Sequence, residues 1–167
     1  MSEPEVEFSR LVPVARLGSE PFGQEIEAGE AERAALARRF NLVSLDRLAA
    51  SVELVRERGG TILLSAEFTA VFAQECIVTL DPVPGSIAER FALRYGLPEM
   101  ETAVENDDEP AFEPLSGDVI DIGEAVAQEF SLSLPPFPRG IDAIVEVAAA
   151  EDTEDGPFAA LAPLARR

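Results

Sequence analysis

Lysine and histidine are absent from this chain of 167 residues, and cysteine occurs once, as Cys76. Without histidine the chain lacks the side chain that titrates near neutral pH and the commonest metal ligand, which removes many catalytic schemes. A single cysteine excludes an internal disulfide and agrees with a reducing compartment. Apolar runs stay well short of the roughly 20 residues that a spanning helix needs. The beginning, "MSEPEVEFSR", is acidic and has no apolar core of a signal peptide, so the expected location is cytoplasmic, away from membranes. Positive charge is scarce as well: 13 basic residues, all arginine, face 32 acids, for a net charge of −19. Broad contact with a nucleic-acid backbone is thereby excluded, because neutralising phosphates requires a basic surface.

A hydrophobic content of 47% suits one domain with a buried core. The shift in composition at "EDTEDG" places its boundary near residue 150, leaving 151–167 as an acidic tail with a short apolar and basic end. Within the domain, "VEFSRLVPVARLG" (6–18) alternates and is broken by Pro13 and Gly18, which predicts an edge strand. "EAGEAERAALARRFN" (27–41) carries acids early and arginines late, with Leu36 and Phe40 on one face, and predicts a helix near 28–40. Two extended runs flank Gly59-Gly60, the mark of a hairpin. Along the second run Leu64, Ala66, Phe68, Ala70 and Phe72 alternate with Ser65, Glu67 and Thr69, so even positions face the core. The same parity carries Cys76, Val78 and Leu80 inward, unless a bulge intervenes near Gln74 and Glu75. "DPVPGS" (81–86) reads as a turn, and 86–96 as a returning strand with Ile87, Phe91, Leu93 and Tyr95 on one side and Arg90 and Arg94 on the other.

Between Tyr95 and Pro138 there are eleven acids and no arginine, and 97–118 has the composition of a mobile acidic loop. Asp121 followed by Glu124 predicts a capping box opening a helix over 121–133, with an Ile122, Val126 and Phe130 stripe toward the core and Pro135 as its stop. The architecture expected is α+β: an antiparallel sheet of five to seven strands, curled or closed into a barrel, with two or three helices on it. Phosphate loops, metal-spaced clusters and nucleophile–base pairs are missing from the sequence, so neither a cofactor, a metal nor an enzymatic activity is expected. Cys76, on an inward strand position without a basic activator, reads as a small buried apolar residue.

Three stretches together resemble the YceD family, the large ribosomal RNA subunit accumulation proteins. "FTAVFAQECIVTLDPV" is similar to the family's strand bearing C-x-x-C, with Ala73 in place of the first cysteine and only Cys76 kept. "DVIDIGEAVAQEFSLSLPPFP" resembles its acidic helix motif at Ile120, Asp121, Ile122, Leu134 and Pro135. "GPFAALAPLARR" is similar to its closing motif at Pro157, Phe158, Ala159, Leu161 and Leu164. The resemblance implies a role in accumulation or processing of large-subunit ribosomal RNA without established catalysis, and one that in this chain does not depend on a C-x-x-C metal or redox pair. An acidic protein attracts basic ribosomal proteins at long range, so the expected partner is a basic ribosomal protein or a pre-ribosomal particle. Direct RNA contact is then confined to arginine clusters such as Arg38 with Arg39 or Arg90 with Arg94, whose plainer reading is surface balancing of nearby acids. The competing expectation is a small-ligand-binding barrel, which the dense apolar filling of the inward positions disfavours.

Overall fold

The structure, a computed structural model, describes residues 6–100, 109–115 and 117–144. Five strands form one sheet: β2 (Phe22–Glu27), β3 (Ser44–Arg56), β4 (Ile62–Glu75), β5 (Pro82–Gly96) and β6 (Ala111–Pro114), in that spatial order. Two short strands, β1 (Leu11–Pro13) and β7 (Val119–Asp121), pair beside it. Helix α1 (Glu30–Arg39) links β2 to β3, and α2 (Ile122–Ser133) follows β7 directly. Among the described residues, no helix is long and apolar enough to cross a membrane.

The β3–β4 hairpin forms where Gly59 and Gly60 supply φ of 119° and 97°, values that side-chain-bearing residues rarely adopt. The alternation predicted for β4 is realised: Leu64, Ala66, Phe68, Ala70 and Phe72 are all buried. In β3 the parity changes, with Leu45 and Leu48 both buried, because the register shifts between Leu45 and Arg47. Helix α2 lays Val126 and Phe130 onto this inner face. Phe130 is fully buried, and its ring lies 5.6 Å from Phe72, 6.5 Å from Phe68 and 5.9 Å from Phe40, each edge to face. Leu36 and Phe40, expected on one face of α1, do pack together toward this cluster.

Several expectations are corrected. Among the described residues the expected sheet, curled or closed, is not a closed barrel: β2 and β6 are its two edges, and helices cover its inner face. Antiparallel pairing holds except between β5 and β6, which run parallel. The stretch 81–86 is not a turn, because β5 already begins at Pro82 and pairs Pro84 with Ala73. Proline is tolerated there since β6 reaches only Leu93–Gly96, leaving the first half of β5 at an edge where no ladder hydrogen bond is lost. Gly85 lies across from Phe72, and a side-chain carbon on it would come within 2.7 Å of that ring. Residues 97–118 are not wholly loop: Pro98–Met100 form a single 3-10 turn and 111–114 add β6, while 101–108 lie outside the described residues. The N-terminal edge strand shrinks to Leu11–Pro13, ended by the proline and a 3-10 turn over Val14–Arg16, and β2 was not expected at all. Its polar alternation, with Gln24 between Phe22 and Ile26, hid it.

Truncating Phe130 removes the ring on which Phe40, Phe68 and Phe72 converge. Phe130→Ala is expected to cost about 3–5 kcal/mol of folding stability by chemical denaturation; a loss well under 1 kcal/mol would mean that α2 is not the keystone of the inner face.

Candidate functional site

Strand β4 ends at Glu75, and the chain then turns tightly through Cys76–Asp81. The Cys76 amide donates to the Asp81 carbonyl (2.9 Å), and the Leu80 amide donates to the Cys76 carbonyl (3.0 Å). The Cys76 sulfur is fully buried and accepts from the amides of Val78 (3.5 Å), Thr79 (3.5 Å) and Gly140 (3.4 Å). Hydrogen bonding from the Thr79 side chain, then from the amides of Gly140, Thr79 and Val78, lowers the thiol to about 6 against the opposing effect of burial. Cys76 is therefore buried as expected, but as the acceptor that organises a turn, outside the main apolar cluster. The inward parity stops with the strand. Leu80 is 67% exposed and adopts φ 65°, a left-handed conformation that costs a leucine about 1–2 kcal/mol.

The second motif stretch closes this turn from the other side. Pro135 accepts from the Gln74 side-chain amide (3.1 Å), Pro138 accepts from the Ile77 amide (3.0 Å), and Gly140 reaches the sulfur. Leu134 packs against the core and Pro135 is exposed. The structure thus brings together two of the three stretches singled out in the sequence. The third, with Pro157, Phe158, Ala159, Leu161 and Leu164, lies outside the described residues, as does the predicted boundary near 150.

Ile120 and Ile122 are buried, flanking Asp121. The Asp121 carboxylate caps α2 by accepting from the amides of Gly123 and Glu124 (both 3.1 Å), and it also accepts from the Ser9 hydroxyl (2.6 Å) and the Arg10 amide (2.8 Å). Close approach is enforced at Gly123, where an added side-chain carbon would meet the Phe8 carbonyl oxygen at 2.5 Å. Glu124 does not complete a capping box. Its carboxylate turns instead to Arg39 (2.7 Å), which also reaches Glu7 (3.0 Å). The Arg39 hydrogen bond holds Glu124 below the usual carboxylate range and raises the guanidinium in turn. A parallel arrangement opens α1: Glu32 accepts from the Gly29 amide (2.7 Å) and pairs with Arg10 through both carboxylate oxygens (2.7 and 2.9 Å). Neither Ser9, Arg10 nor Glu7 carried a signal in sequence, because their partners lie up to 112 residues away by chain; Glu32 at the third position of α1 did carry one.

The arginines considered for RNA contact are mostly engaged by acids. Arg39 is paired as above, Arg90 meets Glu67 (2.8 Å), and Arg94 meets Glu57 (3.0 Å) and Glu109 (3.2 Å). Arg38 is exposed at the end of α1. A shallow depression of about 430 Å³ lies on the outer sheet face among Glu25, Glu27, Arg47, Ser51, Glu67 and Thr69. The inner face, where a barrel would have held a ligand, is filled by Phe68, Phe72 and Phe130. Among the described residues, no three histidine, cysteine, aspartate or glutamate side chains gather as a metal site would require.

Two outcomes are expected. Asp121→Ala removes the helix cap together with the tie to Ser9 and Arg10, and should cost about 2–3 kcal/mol, with faster amide exchange at residues 8–12; unchanged exchange there would contradict the tie. Folding lowers the Cys76 thiol from 9.0 to about 6, so its contribution is complete above pH 9.0, shrinks as pH falls and is gone below about 6. The stability gap between the wild type and Cys76→Ala should therefore widen as pH rises across that window; a constant gap in denaturation at each pH would contradict it.

No curated protein and no solved structure matches this chain. A family model does, over residues 64–165, which span β4 through α2 and the closing stretch, with all three motif regions apart from the last two arginines. With well over half of its length matched, the chain belongs to the YceD family, described as the large ribosomal RNA subunit accumulation protein.

Proposed function

We infer that this protein is a non-enzymatic factor in biogenesis of the large ribosomal subunit, supporting accumulation or processing of its RNA by binding a basic ribosomal protein or a pre-ribosomal particle. The observation that carries the reading is family membership. The net charge of −19 suggests the mode of action: it favours encounter with basic ribosomal proteins over RNA itself. RNA contact is at most local, since Arg39, Arg90 and Arg94 already face carboxylates. The motif residues in hand support a role without catalysis. Asp121 spends its oxygens on four protein donors, and the Cys76 sulfur is enclosed by its own turn. A cytoplasmic location follows from the same reading.

Affinity capture from cell lysate at low and moderate salt tests this. Large-subunit proteins or precursor RNA should be recovered at low salt and diminish as salt rises; recovery of neither at either salt would contradict it.

A further inference from the structure

The turn after β4 exposes apolar side chains in an otherwise acidic molecule. Leu80 is 67% exposed, Ile77 47%, Phe137 74% and Ile141 105%. They belong to one locality, because the Ile77 amide bonds the Pro138 carbonyl and the Gly140 amide bonds the Cys76 sulfur, bringing 137–141 alongside 76–80. Neighbouring exposed charges are mainly negative, with Glu75, Asp81 and Asp142 against Arg139. Contiguous exposed apolar side chains rimmed by polar ones mark interaction surfaces.

Leu80 is the most informative of them. Its φ of 65° belongs to glycine or asparagine, yet the position holds a leucine whose side chain is turned to solvent. The conformation is locked from both sides by the hydrogen bonds that Cys76 makes to Leu80 and Asp81. The left-handed backbone lets the turn between β4 and β5 close through these hydrogen bonds, and it leaves an apolar side chain displayed to solvent, unburied among the described residues, where it fits a contact with another molecule. The enclosed sulfur of Cys76 then serves as the buttress behind the displayed residue.

We propose that Leu80, Ile77, Phe137 and Ile141 form a docking surface for a basic segment of a large-subunit ribosomal protein, with the partner's apolar side chains on this patch and its lysines or arginines on Glu75, Asp81 and Asp142. The proposal rests on the ribosomal reading above and assigns it a surface. Charge selects the occupant: a segment with apolar and basic residues satisfies both the patch and its rim, whereas RNA satisfies neither.

The test places a photo-crosslinking phenylalanine derivative at position 80 of the full-length chain and irradiates it with isolated precursor large-subunit particles. A cross-link to a lysine- or arginine-rich stretch of a large-subunit protein is expected. Cross-linking to ribosomal RNA, to a second copy, or to residues 145–167 of the same chain would overturn the proposal. Leu80→Asn combined with Phe137→Ser should lower co-sedimentation with these particles at least tenfold. Leu11→Asn, at another exposed leucine, on β1, should leave it unchanged. Because asparagine tolerates the left-handed conformation and Phe137 is 74% exposed, the double variant should unfold at the same temperature as the wild type, so lost binding cannot be ascribed to lost fold. Co-sedimentation undiminished in the double variant overturns the surface alone; a wild-type chain that never sediments with the particles overturns the ribosomal reading on which it rests.

Discussion

The carboxylate of Asp121 is the point on which the two halves of this fold depend. A helix start leaves backbone amides without partners, and one aspartate satisfies two of them while also binding Ser9 and Arg10. That arrangement fixes where α2 begins, and so where Phe130 enters the inner face. Gly123 permits the approach, since any larger residue would strike the Phe8 carbonyl. Around it, Arg10 with Glu32 and Arg39 with Glu7 and Glu124 tie the N-terminal segment, α1 and α2 to one another. In a chain with so large an excess of acids, arginine is the scarce partner, and these positions hold it where it orders the fold.

The Cys76 turn applies the same economy of backbone donors at the opposite end of α2. Three amides surround a single sulfur, and the segment after α2 supplies one of them. Ala73, where the family's strand has its other cysteine, is simply a β4 residue whose carbonyl accepts from the Val43 amide. The turn is therefore held by backbone hydrogen bonds and by contacts from Pro135 to Gly140, and these constrain Leu80 into its unusual conformation. Rigid support beneath exposed apolar residues is what a binding surface requires, because less freedom is lost on association.

Much of this fold was legible in sequence wherever periodicity was strong. The β4 alternation, the Gly59-Gly60 hairpin, both helices and the role of Asp121 as a cap follow from local patterns. What escaped depended on distant partners. Glu124 had the right spacing for a capping box, yet Arg39, 85 residues away, offered a stronger charge-assisted partner. Parity along β4 placed Leu80 inward unless the alternation broke near Gln74 and Glu75, and the strand does end at Glu75. Strand β2 was hidden by polar residues suited to an edge, and β6 by the acids around it. For the site, sequence singled out Cys76 and the 120–135 motif separately, but the contact between them, through Gln74, Pro138 and Gly140, exists only in three dimensions.

On the function proposed above, the protein acts through the surfaces it presents, and the consequence for the cell lies in the large ribosomal subunit. The most direct measurement is the ratio of large-subunit to small-subunit ribosomal RNA in cells depleted of the protein. The ratio should fall on depletion and recover when the chain is restored with Cys76→Ser, which keeps the fold's acceptor but not a thiol. An unchanged ratio on depletion, or failure of a folded Cys76→Ser chain to restore it, would contradict a binding role in large-subunit RNA accumulation.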